Sequence, residues 1–356
     1  MVPVTDLSRR TQRYLDGFTA VANDVLRSGQ LLLGPRLQRF EEQFAAFAGG
    51  SDAIAVASGA TAIQLSLSAL GIGPGDEVIV PAFTAVPTAS AVCAVGATPV
   101  PADVDPCTAV IDRHAIEAVI TDKTRAVIVV HLYGYPADIT TLATDLAARD
   151  IAVVEDAAQA HGALLGVVGA TACYSFYPTK NLGGIGDGGA IVLGPDAAER
   201  SALLRRLRVH GMTQQYVHTE ISQNFRISEI EAAWLSLCLP DLGVDNQRRR
   251  AVAAHYREAA PQLHWAASHE RHAMHLCVTR VSDRERFRNE LSASNVASAV
   301  HYPLAVTEQP AYRRFTRAAC PNAEAWAASC VSVPCFPELT DGEVEQVADA
   351  LAGARP

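Results

Sequence analysis

The sequence predicts an α/β protein with two parts. The large domain is built on a mainly parallel central sheet covered by helices, and a smaller C-terminal domain is α+β. The chain has 356 residues, which exceeds one ordinary single-core domain. Short apolar segments alternate with helical segments from about residue 53 to residue 194, a pattern typical of a parallel sheet buried on both faces. The alternation ends near residue 265, and we assign residues 1–240 and 241–356 to the two domains.

Two helices are predicted before the alternation begins. The first, within residues 1–35, places apolar side chains on one helical stripe: Tyr14, Phe18, Val21 and Val25. The second covers residues 37–47 and ends at a glycine pair, since glycine is common just past a helix C-terminus.

The alternating region supplies the predicted central sheet. Its strands are predicted at residues 53–57, 78–83, 98–104, 126–130, 151–157, 172–178 and 190–194. Helices are predicted at 60–70, before residue 95, at 113–120, 138–148, 196–209 and 228–260. The C-terminal part mixes predicted strands at 275–281 and 297–302 with helices at 283–292, 322–329 and 341–352.

The composition excludes several classes of protein. A formal net charge of −9 disfavours a nucleic-acid-binding chain, and 49% hydrophobic with 19% charged residues excludes disorder. No apolar run approaches the ~18 residues needed to cross a bilayer, and the first residues lack a secretory signal. The eight cysteines form no C-x-x-C pair, so we expect a cytoplasmic protein with reduced thiols.

Ligands of open parallel sheets bind beyond the carboxyl ends of the strands, and three predicted strand ends carry unusual residues. The first is Ser58-Gly59-Ala60-Thr61, between a strand and a helix. Small residues there let a ligand approach the N–H groups of the helix N-terminus, which favours a phosphate site. Simple capping of the helix by Ser58 explains the same residues.

The second strand end brings Glu155 and Asp156 to the same edge. A carboxylate there needs a cationic or hydrogen-bonding partner, although an aspartate that caps the following turn is an equal alternative. Gln159 and His161 follow closely, and we interpret His161 as a packed, hydrogen-bonded histidine rather than a proton carrier.

The third strand end carries Lys180, directly before a glycine-rich turn. The chain has only two lysines, Lys123 and Lys180, beside 27 arginines, so a dispensable surface position would more commonly hold arginine. A lysine at the ligand edge of a sheet can lose its proton more easily than in water and act as a nucleophile. We therefore predict a functional Lys180 and a surface position for Lys123.

Two further patterns are rejected as sites. Residues 184–189 match G-x-G-x-x-G, but they precede a strand, whereas a dinucleotide site follows a strand and opens a helix. His269, His272 and His275 are three residues apart, which is not the spacing of a zinc site, and no metal is predicted.

A phosphate site, a carboxylate and a nucleophilic lysine on three strand ends suit pyridoxal 5′-phosphate (PLP). In PLP sites a lysine binds the aldehyde of the cofactor, and an aspartate keeps its pyridine nitrogen protonated. Helix N–H groups and a hydroxyl hold its phosphate.

The sequence also resembles the DegT-type PLP-dependent sugar aminotransferases, which have the fold-type I architecture. The resemblance covers most of the chain and rests on motifs in the right order: LGPRLQRFEEQFAAFAG, VASGATAIQLSLSALGIGPGDEVIVPAFT, VHLYGYPADI, VVEDAAQAHGA, SFYPTKNLGGIGDGGAIV, NFRISEIEAAWL and VPCFPELT. It implies an aminotransferase whose active sites are shared across a homodimer.

By matching motifs, the resemblance implies roles for individual residues. Lys180 would be the Schiff-base lysine and proton carrier, and Asp156 would pair with the pyridine nitrogen. Other cofactor contacts would come from Gly59, Ala60, Thr61 and Ser175 at the phosphate, Gln159 at the phenolic oxygen, and Asn224 at the phosphate in the neighbouring subunit. His301 and Tyr302 lie in a segment similar to the one that approaches the substrate in the family.

The chain departs from the family at the residue that stacks on the PLP ring. An aromatic residue is frequent there, and this chain has Ala85, with Phe83 as the candidate replacement. Arg226 closes the N-x-R segment and is a candidate partner for a substrate diphosphate. A structural ion pair near a helix start is the alternative role for Arg226.

The predicted reaction is transfer of an amino group from L-glutamate or L-glutamine to a keto-sugar, most simply a nucleotide-linked one, in amino-sugar or natural-product biosynthesis. One alternative is an enzyme that aminates a keto-cyclitol or aromatises an aminoshikimate-type ring. Another is a PLP-binding regulatory or scaffold protein with little turnover, which the intact Lys180, Asp156 and Ser175 disfavour. We expect no nucleic-acid or membrane partner.

Overall fold

The structure is a computed structural model that describes residues 1–195 and 197–355. Its strands are β1 (Asp52–Val56), β2 (Glu77–Pro81), β3 (Thr98–Ala102), β4 (Thr124–Val130), β5 (Ala152–Asp156), β6 (Thr171–Ser175), β7 (Gly189–Leu193), β8 (Met212–Gln214), β9 (Val217–His218), β10 (His264–Trp265), β11 (Cys277–Arg280) and β12 (Cys330–Val333). Its α-helices are α1 (Leu7–Ser28), α2 (Pro35–Ala48), α3 (Gly59–Ala69), α4 (Pro87–Ala94), α5 (Arg113–Val119), α6 (Thr140–Ala147), α7 (Ala198–Leu207), α8 (Glu229–Cys238), α9 (Leu242–Ala259), α10 (Arg284–Ala293), α11 (Pro321–Ser329) and α12 (Asp341–Gly353).

Seven strands form the central sheet in the order β1-β7-β6-β5-β4-β2-β3. The pairs between β3 and β6 are parallel, whereas β7 is antiparallel to both β6 and β1. Strands β1 to β6 therefore share one direction, and their carboxyl ends meet at one edge. This confirms the predicted mainly parallel α/β sheet.

Helices cover both faces of the sheet, because its strands are apolar on both sides. Strands β2 and β7 are buried along their whole length. One face packs against α2 and α8 through a cluster that includes Phe40, Phe44 and Trp234. The other face packs against α3 and α4 through a cluster that includes Ile63 and Leu67.

A buried carboxylate ties the second helix to the core. Glu229, at the start of α8, accepts the N–H groups of Gly34, Arg36 and Leu37 at 2.9–3.0 Å. These N–H groups lie at the beginning of α2, where a helix has no intrahelical acceptors. A negative charge is also favourable there, because a helix N-terminus carries a partial positive charge.

The C-terminal part contains a small antiparallel sheet in the order β10-β11-β12. Its own apolar cluster includes Phe287, Phe336 and Leu351, in keeping with the predicted α+β character. Trp326 of α11 instead joins the core of the central sheet. The domain boundary between residues 240 and 241 stays a prediction.

Two predicted elements are wrong in their extent or type. The helix predicted at 228–260 is two helices, α8 and α9, joined by a 3₁₀ turn at Leu239–Asp241. Pro240 lies in that turn, and proline lacks the N–H that a continuous helix needs. The strand predicted at 297–302 is irregular, because it meets β12 only at Ala299.

None of the described helices is long and apolar enough to cross a membrane.

Candidate active site

The predicted site residues meet at the edge where the carboxyl ends of β1 to β6 lie. Asp156 is the last residue of β5, Ser175 is the last of β6, and Ser58 follows β1. Strands β5 and β6 are neighbours in the sheet, with Asp156 paired to Cys173. Lys180 lies in the turn that leads from β6 to β7.

Residues 58–61 together with Ser175 form a concave group that we call the α3 cradle. The Oγ atom of Ser58 accepts the N–H of Thr61 at 3.1 Å and lies 2.9 Å from the Thr61 hydroxyl. The first N–H groups of α3 have no intrahelical acceptor and can receive an anion. Ser58 therefore caps the helix, as the alternative interpretation predicts, while other N–H groups of the same turn stay available.

The cradle needs glycine at position 59. A Cβ atom there would lie 2.7 Å from the Cβ of Ser175, a distance that two carbon atoms cannot adopt without movement of one strand. Ser175 is thus close to the N-terminus of α3. Its Oγ atom accepts the N–H of Tyr177 at 3.3 Å, which leaves the hydroxyl proton free for a ligand.

Asp156 is buried, with only 5% of its surface exposed. One carboxylate oxygen accepts the Thr88 hydroxyl at 2.8 Å, and the other accepts the N–H of Ala158 at 3.1 Å. Burial raises the pKa of the Asp156 carboxyl, while these hydrogen bonds and the charge of Lys180 lower it. A cationic N–H donor placed beside this carboxylate would relieve the cost of burying its charge.

Residues 176–188, which we call the lysine turn, carry Lys180. The N–H of Lys180 donates to the carbonyl of Tyr177 at 2.8 Å, and the N–H of Gly184 donates to that of Phe176 at 2.7 Å. Desolvation lowers the pKa of Lys180 to about 8, and the negative charge of Asp156 opposes this shift. The lysine therefore holds a larger fraction of reactive neutral amine at neutral pH than an exposed lysine does. Lys123, by contrast, is exposed as predicted.

Gln159 connects two aromatic residues at the site. Its side-chain oxygen accepts the N–H of Tyr133 at 2.6 Å, and its amide nitrogen donates to the hydroxyl of Tyr302 at 2.9 Å. The Tyr133 hydroxyl donates to the carbonyl of His301, and the His301 ring lies 2.9 Å from the Ser332 hydroxyl. The substrate segment predicted at His301 and Tyr302 is therefore anchored to the sheet edge.

Packing disfavours the stacking role predicted for Phe83. Its ring is 0% exposed and is enclosed by Tyr133, Tyr302 and Trp326. A fully covered ring cannot touch a ligand without rearrangement. Ala85 is only half-buried and is the residue of this segment that keeps accessible surface.

Two polar residues near the site, Glu155 and His161, have surroundings that suit a structural role. Glu155 accepts the N–H groups of Val168 and Gly169 at 2.8 Å and lies 3.1 Å from the His131 ring, so it holds the segment before β6. His161 is packed as predicted, but neither of its ring nitrogens has a hydrogen-bond partner among the described residues. Burial lowers the pKa of His161 to about 3, which keeps the ring neutral.

Asn224 and Arg226 contact each other through their side chains, and the backbone between them adjoins the end of β1, where Ala57 donates to the carbonyl of Phe225 at 2.9 Å. Asn224 is exposed, and its side-chain oxygen accepts the Arg226 Nε–H at 2.8 Å. Among the described residues Arg226 therefore forms this contact with an amide and not the ion pair considered as its alternative role.

The histidines of the predicted non-metal cluster have backbone and amide partners. His275 lies 3.2 Å from the Asn181 side-chain oxygen, and His272 accepts the N–H of Met274 at 2.9 Å. Within residues 1–195 and 197–355, no three potential ligands form a group that could hold a metal ion.

The donor set fits PLP. Burial lowers the pKa of the Lys180 amine, and Asp156 is a buried carboxylate whose pKa burial raises. The α3 cradle combines helix N–H groups with a free hydroxyl, the usual chemistry of a phosphate site. These three features accept the aldehyde, the ring nitrogen and the phosphate of one cofactor.

Several residues of the site could not be singled out in the sequence. Thr88, on α4, contacts Asp156, and Tyr133 contacts Gln159 through its backbone. Arg10 of α1 and Trp234 of α8 bind carbonyl groups of the lysine turn. Ordinary threonines, tyrosines and arginines carry no motif signal, and only their positions in the fold reveal these contacts.

Comparison with known proteins gives concordant matches. Residues 16–352 match the model of the DegT/DnrJ/EryC1/StrS aminotransferase family. The chain is 40% identical over 363 residues to a dTDP-3-amino-3,4,6-trideoxy-alpha-D-glucose transaminase of Streptomyces venezuelae, covering 98% of this chain and 95% of that protein. It is 37% identical to a UDP-N-acetyl-3-dehydro-alpha-D-glucosamine 3-aminotransferase of Acidithiobacillus ferrooxidans, covering 98% and 97%.

The same agreement extends to three dimensions. The crystal structure of Streptomyces venezuelae DesV in complex with a ketimine intermediate superposes with a TM-score of 0.93 at 38% identity, covering 99% of this chain and 97% of that one. The family model and this superposition both span nearly the whole chain, including the sheet edge that carries Asp156 and Lys180. This chain belongs to the DegT/DnrJ/EryC1/StrS aminotransferase family.

Proposed function

We propose that this PLP-dependent aminotransferase transfers an amino group from L-glutamate or L-glutamine to a nucleotide-linked 3-keto-sugar. The observation that carries the proposal is the lysine amine of lowered pKa beside a buried aspartate, next to an anion-binding helix terminus. Bound PLP supplies an aldehyde that takes up the amino group and a ring that withdraws electrons.

Lys180 is the proposed base and acid of the reaction. The pKa of its amine, about 8, is close to the working pH, so the amine can both accept a proton from the substrate and return one. Asp156 is proposed to hold the proton on the ring nitrogen, because a buried carboxylate is stabilised by a cationic N–H donor. Thr88 orients Asp156 for that contact through its hydroxyl.

The remaining cofactor contacts follow from the geometry of the edge. Gly59, Ala60, Thr61 and Ser175 are proposed to bind the phosphate through free N–H groups of the first turn of α3 and the hydroxyls of Thr61 and Ser175, since Ser175 lies against that helix N-terminus. Gln159 is proposed to reach the phenolic oxygen with its amide, whose position Tyr133 and Tyr302 already restrict.

The identity of the acceptor draws support from the relatives. Both named relatives are, by name, transaminases of nucleotide-linked sugars that act at carbon 3. A diphosphate needs cationic partners, and Arg226 presents a half-buried guanidinium with no carboxylate among its hydrogen-bond partners. We therefore assign Arg226 to the substrate diphosphate, with His301 and Tyr302 near the sugar.

A homodimer is part of the proposal. Asn224 is exposed on the surface of the chain, and we propose that it reaches the cofactor phosphate of a neighbouring subunit. Apolar side chains are also exposed before α2, in the lysine turn and just before Asn224: Leu31, Leu32, Leu33, Ile185 and Ile221. Apolar surface of this kind is typical of an interface between subunits.

All eight cysteines are free thiols, in keeping with a proposed cytoplasmic location.

Absorbance spectroscopy with defined substrates tests the function. Purified protein with PLP should absorb near roughly 410–430 nm and bleach towards ~330 nm with L-glutamate or L-glutamine. The bleached enzyme should regain its colour with a nucleotide-linked 3-keto-sugar and release the amino-sugar, detected by mass spectrometry. Recovery with keto-cyclitols alone would instead identify the alternative acceptor class. Absence of bleaching with any donor would identify a PLP-binding protein without turnover.

A further inference from the structure

The lysine turn directs three carbonyl groups towards helices that are distant in sequence. The carbonyls of Pro178 and Lys180 both accept from the guanidinium of Arg10, with 3.1 Å between Arg10 Nη1 and the Lys180 oxygen. The carbonyl of Gly183 accepts the indole N–H of Trp234 at 2.8 Å. The backbone on either side of the Lys180 side chain is thus bound by one cation.

The turn is shaped around that guanidinium. A Cβ atom at Gly183 would clash first with the carbonyl oxygen of Pro178 and would also lie 2.7 Å from both terminal nitrogens of Arg10, so glycine is required by the backbone of the turn as well as by the approach of the arginine. Arg10 belongs to α1 and lies 170 residues from Lys180 in sequence. The N-terminal helix therefore contacts the backbone of the proposed catalytic residue directly.

Arg10 is placed at an energetic cost. Burial lowers the pKa of its guanidinium, its hydrogen bonds go to carbonyls rather than carboxylates, and its Nε is buried without a partner among the described residues. If Arg10 served stability alone, we would expect it to form an ion pair, or an apolar side chain to occupy its position. Arg9 shows the ordinary case, because it pairs with Glu343 of α12 at 2.7 Å.

We propose that Arg10 is a positioning residue that fixes the backbone of the lysine turn so that the Lys180 amine is directed towards Asp156 and the cofactor. Its two forked N–H groups match two carbonyls that bracket Lys180, a geometry that lysine cannot reproduce with one ammonium. The lowered pKa of Lys180 is caused by burial and opposed by the charge of Asp156, whereas Arg10 acts on the backbone of the turn. Its effect is orientation, and a misplacement of about 1 Å can reduce a rate roughly 100-fold.

The test compares Arg10→Met and Arg10→Lys with the matched control Arg9→Met on the same helix. Stopped-flow absorbance of the donor half-reaction should show a rate roughly 10- to 100-fold lower for both Arg10 variants, with donor KM within about twofold of wild type. Arg9→Met should react at the wild-type rate. Wild-type rates in both Arg10 variants, or a loss that Arg9→Met shares, would overturn the proposal.

A second readout does not depend on activity. Hydrogen exchange of the protein, with and without PLP, should be faster at the amides of Lys180 and Gly184 in the Arg10 variants and unchanged in Arg9→Met. Unchanged exchange at the lysine turn would overturn the proposal, and Arg10→Lys supplies the measurement if Arg10→Met does not fold. This inference rests on the proposed role of Lys180, which the colour of Lys180→Ala tests separately, so the two can fail independently.

Discussion

The α3 cradle and the lysine turn lie on the same edge of the sheet but are held in different ways. In the cradle, Ser58 and Thr61 are three residues apart and bond to each other, and the N–H donors belong to the backbone of α3. In the lysine turn, the backbone carbonyls depend on Arg10 and Trp234, which lie on other helices. The helix N-terminus of the first region is a local motif against which Ser175 of β6 packs, whereas the carbonyls of the second region depend on side chains from distant helices.

This difference predicts a separation of effects. Changes in the cradle should act on the affinity for PLP, because the phosphate contacts are a binding interaction made equally before and during the reaction. Changes in the lysine turn should act on the rate, because the position of the amine matters when a proton moves. The following substitutions test this contrast in the two regions themselves and at two residues that interact with the lysine turn, Asp156 and Glu231.

The largest effect is expected for Lys180→Ala. Loss of the proposed nucleophile and proton carrier should reduce turnover by about 10⁴-fold or more, because no other described amine replaces it. PLP should still bind through the cradle, but without the absorbance of the lysine-linked form near roughly 420 nm. Lys123→Ala is the matched control, since Lys123 is exposed and its loss should leave colour and rate unchanged. An unaltered spectrum in Lys180→Ala would contradict the assignment.

Asp156→Asn should come next. The amide keeps the size of the carboxyl group but cannot stabilise a protonated ring nitrogen, so kcat should fall roughly 100- to 1,000-fold. The Thr88 hydroxyl can still donate to the amide oxygen, which limits any loss of stability. Steady-state kinetics with equilibrium dialysis of PLP measures both quantities. A variant that loses PLP affinity but keeps kcat would move Asp156 to the binding side of the comparison.

Glu231→Gln should change how the free energy of unfolding depends on pH, through the contact of Glu231 with the lysine turn. Glu231 accepts the N–H of Ile185 at 3.0 Å, and burial, reinforced by the charge of Asp187, raises its pKa from 4.5 to about 7. Between these pH values the folded chain keeps a proton that the unfolded chain has lost. The contribution of Glu231 to wild-type stability should therefore fall as pH rises from about 4.5 to 7, by at most about 3 kcal/mol, and then level off.

Urea unfolding of wild type and Glu231→Gln across this pH range measures the effect. The stability of the variant relative to wild type should increase as pH rises from about 4.5 to 7, because glutamine does not titrate. Parallel pH profiles for the two proteins would show that Glu231 has the same pKa in the folded and unfolded chains, and would contradict the raised value.

Gly59→Ala should have the smallest effect and should act on binding. The new Cβ would lie 2.7 Å from the Cβ of Ser175, so the cradle must open and PLP affinity should fall roughly tenfold, with kcat at saturating PLP nearly unchanged. Gly243→Ala is the control, because nothing lies within 4 Å of its added methyl group and the helix α9 should gain about 0.5–1 kcal/mol of stability. A fall in kcat without loss of affinity would remove the contrast between the two regions.

Particular elements show where prediction from sequence succeeds. Strands β1, β5 and β7 lie within a residue or two of their predicted positions, because continuous apolar segments between turn signals are typical of buried parallel strands. The helix predicted at 228–260 was too long, since periodicity continues across Pro240 while the backbone hydrogen bonds do not. The short strand β12 was missed because four residues directly after a helix carry too little pattern.

The same distinction between local sequence pattern and tertiary packing applies to single residues of the site. Lys180, Asp156 and the cradle stand at strand ends, and strand direction alone brings them to one edge. The packing of Phe83 beneath Tyr302 and the contact of Thr88 with Asp156 depend on how loops and helices meet. No periodicity or motif carries that information.

The sequence by itself therefore determined the mainly parallel sheet, the edge at which the ligand binds and the lysine that distinguishes the site, because these depend on local pattern and strand polarity. Only the tertiary structure decided which groups orient that lysine. Arg10 lies 170 residues from Lys180, and a contact over such a separation is set by the packing of α1 against the rest of the fold. One of only two lysines in the chain is thus identified by composition, while its position depends on an arginine that composition does not distinguish from 26 others.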